Sequence, residues 1–110
     1  MAFDPDLADR IRELVAAERG VEEKRMFGGL AFLINGHMAI AANRGGGLLV
    51  RVPPEDTEQL LSREHVELMV MGGREMRGWL RVDAAGVRTK RQLQGWVSRG
   101  VGFASGLPPK

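Results

Sequence analysis

MFGGLAFLINGHMAIAA, residues Met26 to Ala42, is written as a β-hairpin. Asn35-Gly36 accepts positive φ at both central positions of a type I′ turn, and apolar residues flank it on both sides. A turn of that kind sets the register: Ile34 faces His37, Leu33 faces Met38, Phe32 faces Ala39, Ala31 faces Ile40 and Leu30 faces Ala41. One face of the ribbon then carries Ala31, Leu33, Met38 and Ile40, and the other carries Leu30, Phe32, Ala39 and Ala41. Both faces are apolar. A hairpin wet on one side would alternate apolar with polar residues, so this one is expected to be covered on both faces or to lie at the centre of a sheet.

The chain around it has 110 residues, enough for one domain that buries roughly two thirds of its unfolded surface. It contains no cysteine, which excludes disulfides and thiolate metal sites. Met1-Ala2-Phe3-Asp4-Pro5 lacks the charged and apolar regions of a secretion signal, and no apolar run approaches the ~20 residues of a membrane span. A cytoplasmic location and no membrane partner are the expectation. The net charge of +2 is unevenly distributed. Residues 1–70 hold 8 Lys and Arg against 12 Asp and Glu, whereas residues 71–110 hold 8 against 2. A basic C-terminal third suits either a solvated surface or an anionic partner.

Upstream of the hairpin, Asp6 to Arg19 has the pattern of an amphipathic helix, with Leu7, Ile11, Leu14 and Val15 on one stripe. Asp4 before Pro5 supplies an N-cap and a proline at the first helical position, and Gly20 supplies the stop. Val21 to Arg25 leads into a strand interrupted by Gly28-Gly29, which reads as a bulge, a bend or a close approach of another backbone. The phosphate-cradle alternative lacks the helix start with Lys-Ser or Lys-Thr that it needs. Downstream, Asn43 to Gly47 is a loop whose amides and Arg44 could hold an anion, and Leu48 to Val52 is a strand ended by Pro53-Pro54. A short helix over about Glu55 to Ser62 follows. Val66 to Met71 and Arg74 to Val82 read as strands around a Gly72-Gly73 turn. Gly78 marks a bulge or bend, and Trp79 and Arg81 face opposite to Leu80 and Val82. After a turn at Asp83 to Gly86, a last helix starts near Thr89 and buries Leu93, Trp96, Val97, Gly100, Val101 and Ala104, with Pro108-Pro109 beyond it.

Chemistry-bearing patterns are sparse. His37 and His65 make no local ligand pair, and His37 beside the turn is expected to be exposed; no metal or cofactor is predicted. Ser62, Ser98 and Ser105 lie in no nucleophile elbow, and Glu22 and Glu23 or Glu55, Asp56 and Glu58 sit where solvated charge is ordinary. No catalytic residues are assigned. Met38, Met69, Met71 and Met76 read as core filler, with an adaptable binding surface as the alternative.

Taken together, RMFGGLAFLINGHM at Arg25 to Met38, LLVRV at Leu48 to Val52, GREMRGWLRV at Gly73 to Val82, and Trp96 followed by LPPK at Leu107 to Lys110 resemble the TfoX N-terminal domain family. The motif residues carrying the likeness include Met26, Phe27, Gly28, Gly29, Asn35, Gly36, Gly78, Trp79 and Trp96, read as structural. The resemblance implies an α+β fold of the secretion-chaperone-like type: an antiparallel sheet built on the central hairpin, flanked by an N-terminal helix, a C-terminal helix and a short middle helix. It also implies a relation to regulators of DNA-uptake competence, here as a stand-alone domain. Relatives carry cysteines where this hairpin has Met38-Ala39-Ile40-Ala41, so a thiol role does not carry over.

Three functions follow in order: a non-enzymatic regulatory module that binds a partner protein, with a homodimer among the possibilities; a nucleic-acid or anion binder using Arg88, Lys90, Arg91 and Arg99; and a small-ligand binder or enzyme with a cleft beside Gly28-Gly29 and Trp79. Few aromatics and no recognised reader motif weigh against the second.

Overall fold

The structure is a computed structural model that describes residues 4–26, 28–43 and 46–108. Readings that involve Met1 to Phe3, Phe27, Arg44, Gly45, Pro109 and Lys110 lie outside the described residues.

Asp4 opens the first helix as its sequence predicts: its carboxylate accepts a hydrogen bond from the Asp6 amide at 2.9 Å, and Pro5 takes the first position of α1, Pro5–Leu14. The helix stops short of the expected Arg19. Its end tightens into i→i+3 bonds, Ala16 to Glu13 and Glu18 to Val15, which turn the chain toward the sheet before Gly20 is reached. Among the described residues the chain then forms six strands and two further α-helices. The strands are β1 (Val21–Met26), β2 (Gly29–Ile34), β3 (His37–Ala42), β4 (Leu48–Arg51), β5 (Val66–Met71) and β6 (Arg74–Val82). They make one antiparallel sheet in the order β1-β2-β3-β4-β6-β5, and the fold is α+β.

The Asn35-Gly36 turn forms as expected, with φ of 52° and 87°. The register beyond it does not. Ile34 faces His37 and Leu33 faces Met38, but Phe32 then faces Ile40, Ala31 faces Ala41 and Leu30 faces Ala42. Ala39 is an extra residue, a β-bulge, and every residue after it changes face. Ile40 therefore joins Phe32 in the main core instead of sharing a face with Ala31, while Ala41 moves to the face of Ala31. A second correction concerns Gly28-Gly29. β1 and β2 form their own hairpin with Met26 opposite Gly29, so Gly28, at φ 77°, belongs to a turn and not to a bulge inside one strand. The close-approach reading holds for Gly29, where a Cβ would overlap the Ala42 carbonyl oxygen.

All three helices lie on one face of the sheet. α3 (Lys90–Ser105) crosses β2, β3 and β4, α1 packs beside α3, and α2 (Thr57–Leu61), entered through a 3-10 turn at Pro54–Asp56, packs on β5 and β6. The α3 start is a capping box: the Gln92 amide donates to Thr89 Oγ at 3.1 Å and the Thr89 amide donates to Gln92 Oε1 at 2.9 Å. Leu93, Trp96, Val97, Gly100, Val101 and Ala104 are all buried against the sheet, as their spacing predicts. The hairpin is thus central, but helices cover it on one side alone.

Candidate functional site

The uncovered face is a concavity to which every strand contributes. β1 gives Lys24 and Met26, β2 Leu33, β3 Met38, β4 Leu49 and Arg51, β5 Met69 and Met71, and β6 Met76 and Trp79. The cavity they enclose measures about 490 Å³ and is open along one side. A smaller hollow of about 190 Å³ adjoins it, sharing Met26, Met38, Leu49 and Met69 and adding Ala41 and Arg81. Met26 and Met69 stand on the two edge strands, so the sheet curls until its edges face each other across the hollow.

Two local irregularities shape this space. The Ala39 bulge takes Ile40 off this face and pairs two small buried side chains, Ala31 and Ala41, beneath it, with Ala41 lining the smaller hollow. Ala31, Ala41 and Leu49 are buried there, and Met26, Leu33, Met38, Met69 and Trp79 pack on them as a cluster separate from the main core. The second irregularity is in β6. Leu68 faces Leu80 but Met69 faces Met76, so Arg77, Gly78 and Trp79 form an outward loop of strand. Gly78 has φ 86°, and its amide donates to the buried Thr57 hydroxyl at 3.0 Å. The expected bulge at Gly78 is present, with Trp79 and Arg81 opposite to Leu80 and Val82.

Methionine as core filler therefore holds in part: Met38 and Met69 pack on the Ala31, Ala41 and Leu49 cluster. All five methionines after Met1 line the concavity, four half-buried and Met71 39% exposed. The signal was the parity of β5 and β6, which puts Met69 opposite Met76 on one face once the Gly78 bulge is allowed for.

The charged residues that line the two hollows are cationic, while Glu22 and Glu67 lie on the same face by register outside the lining. Lys24 and Arg51 line the cavity and Arg81 the adjoining hollow, with no carboxylate among the lining residues described. The Arg51 guanidinium lies 5.0 Å from the centroid of the Trp79 ring and 5.3 Å from that of Phe103, which hold it between them. Glu67 stands opposite Arg81 in register, and the two form no ion pair.

Outside the concavity, the four predicted basic residues are exposed, and the structure gathers them only in part. Arg99 and Arg63 both lie over the Trp96 ring, at 6.0 and 5.7 Å, and Arg91 lines a hollow of about 400 Å³ beside it. Arg88 and Lys90 lie at the helix entry, where the Arg88 carbonyl accepts from the Arg10 guanidinium. His37, expected to be exposed, is half-buried: its Nε2 donates to the Pro108 carbonyl at 2.6 Å and ties down the segment after α3. His65, in the left-handed region at φ 69°, places Nδ1 3.1 Å from the Asp83 carboxylate, a pair made by the Val66–Val82 register and invisible to local spacing. Among the described residues no group of three or more His, Cys, Asp or Glu could hold a metal ion. No helix is long and apolar enough to cross a membrane.

The two sheet edges differ. β1 presents Glu22, Glu23, Lys24 and Arg25, and Glu23 is gripped from α1 by Arg12 through bonds of 2.7 and 2.8 Å. β5 presents Val70, 55% exposed, and Met71, the exposed large hydrophobic residues among those described.

A family model for the TfoX N-terminal domain matches residues 13–104, a stretch that takes in the whole sheet and nearly all of α3. No curated protein and no solved structure matches the chain.

Proposed function

The chain belongs to the TfoX N-terminal domain family, and from that premise we propose that it is a non-enzymatic regulatory module that works by holding another protein. The observation that carries the reading is the unprotected edge at β5. Natural sheets guard their edges with charge, as β1 does, because an open edge offers unpaired amides and carbonyls to any extended segment. β5 instead carries Val70 and Met71 outward. A partner strand added there gains main-chain hydrogen bonds along the ladder and apolar contact at Val70, the strand-addition mode of recognition. The relation to competence regulators supplies the regulatory context, with a second copy of the chain as one candidate for the added strand.

Affinity capture from the native cell with the wild-type chain, a Val70→Lys variant and an Arg91→Glu/Arg99→Glu variant tests this. Wild type and the double variant are expected to retain the same protein and Val70→Lys to lose it. Equal retention by Val70→Lys would end the reading, and sedimentation of both forms tells whether the partner is another copy.

The second reading, nucleic-acid binding, draws on the grouping of Arg63, Arg91 and Arg99 about Trp96. Trp96 is only 6% exposed and offers a base no stacking platform. Duplex binding that weakens steeply with salt and is lost in the Arg91→Glu/Arg99→Glu variant would favour it.

A further inference from the structure

We propose that the methionine-lined concavity is a binding site for a small amphipathic organic anion, an acyl or aryl body carrying one carboxylate. The volume is right: about 490 Å³ falls within the roughly 300–1,000 Å³ of small-molecule sites. Its shape is built by sequence. Protein interiors are close-packed, and a core position at the centre of a sheet would ordinarily carry a large side chain. Here the Ala39 bulge turns Ile40 to the helix face and sets the small Ala31 and Ala41 beneath the side chains that line the cavity, with Ala41 itself at the adjoining hollow. Thioether side chains with several rotatable bonds line the walls, so the space can remodel around an apolar body without a strict shape match.

Charge selects the head group. Lys24 and Arg51 reach the cavity from β1 and β4, on either side of the β2-β3 pair, and neither has an ion-pair partner among the described residues. Arg51 is oriented by the Trp79 and Phe103 rings, so a carboxylate meets a guanidinium already in place. The same cations argue against a thioether-bound metal ion, which would have to enter beside them. Met71 lines this cavity and also stands on the β5 edge, but the head-group test rests on Lys24 and the partner test on Val70, so the inference goes beyond the partner reading and fails separately from it.

The test is displacement of 8-anilinonaphthalene-1-sulfonate, itself an aryl anion, by ten-carbon probes that differ only in the head: decanoate, decanol and decyltrimethylammonium, each below its micelle-forming concentration. The dye is expected to bind with a stoichiometry of one, and decanoate to displace it at least tenfold more effectively than the ammonium. Lys24→Gln, on an exposed edge position, should weaken decanoate about tenfold and leave decanol unchanged. Ala41→Leu should abolish all binding while the unfolding transition stays cooperative. Equal displacement by decanoate and decyltrimethylammonium, or unchanged decanoate affinity in Lys24→Gln, would overturn the proposal, and the second result does so even where Ala41→Leu does not fold.

Discussion

Gly100 shows how one missing side chain sets a distance between layers. A Cβ at this position would sit 2.5 Å from the Ala39 carbonyl oxygen and 3.2 Å from a Val50 methyl, so α3 lies against the bulge of β3 only because residue 100 has none. Gly95 and Gly102 on the same helix have nothing within 4 Å of the point where a Cβ would stand. All three cost helix propensity, but only Gly100 has a packing reason. Gly100→Ala is therefore expected to destabilise by about 1–3 kcal/mol, because the obstacle is backbone that cannot rotate away. Gly95→Ala and Gly102→Ala should each stabilise by about 0.5–1 kcal/mol. Urea denaturation of the three variants separates the cases, and equal effects would refute the packing argument. Glu23 makes a different kind of residue-scale prediction. Its hydrogen bonds to the Arg12 guanidinium hold its carboxyl below the usual glutamate range. A carboxyl whose folded value is depressed stabilises fully above the ordinary value of about 4.3 and loses that contribution as pH falls through the folded value. The difference in Tm between wild type and Glu23→Gln should thus be constant from pH 7 to 5 and shrink below about pH 4.3, and be smaller in high salt since the pair is half-exposed.

At the scale of elements, β6 is held in shape by α2. The Gly78 amide is buried and its acceptor is the Thr57 hydroxyl, at 3.0 Å, on a side chain 1% exposed. Thr57→Val keeps the volume and orphans the amide, which should cost about 1–3 kcal/mol, whereas Thr57→Ser keeps the acceptor and should cost less. Because the bulge at Gly78 aims Trp79 into the concavity, Thr57→Val should also shift the Trp79 fluorescence and Thr57→Ser should not. This link joins residues far apart in the chain, and nothing in the local sequence announces it. The elements themselves were legible: the Asn35-Gly36 turn, the Asp4 cap, the start of the last helix near Thr89 and the spacing of Leu93 to Ala104 are local chemistry, and each forms as read. The face assignment after Ala39 was not, because a bulge in an all-apolar run leaves no polar residue out of phase to betray it. Methionine was placed only in part for a related reason. A residue equally at home in a core and on an adaptable surface is placed only by strand order, and β5 pairs with β6 outside the hairpin whose register could be read.

The whole molecule is a two-layer fold with an unequal distribution of support across its sheet. α3, flanked by α1, presses on β2, β3 and β4, where Phe32, Ile40, Leu48 and Val50 are at most 1% exposed. β5, at the far edge, is covered by the short α2 and leaves Val70 55% exposed. The other edge, β1, is tied to α1 by Arg12 and Glu23. Segments with few buried contacts open at lower free energy than the core that carries global stability. Native-state hydrogen exchange should accordingly find the amides of β2, β3 and β4 exchanging only with global unfolding, and those of β5 through a smaller opening that leaves the hairpin intact. Mild urea should merge the two classes as global unfolding becomes the easier route. Exchange of β5 at the global rate in the absence of denaturant would mean that the sheet opens as one unit. The edge proposed to accept a partner strand would then not be the part of the domain that yields first.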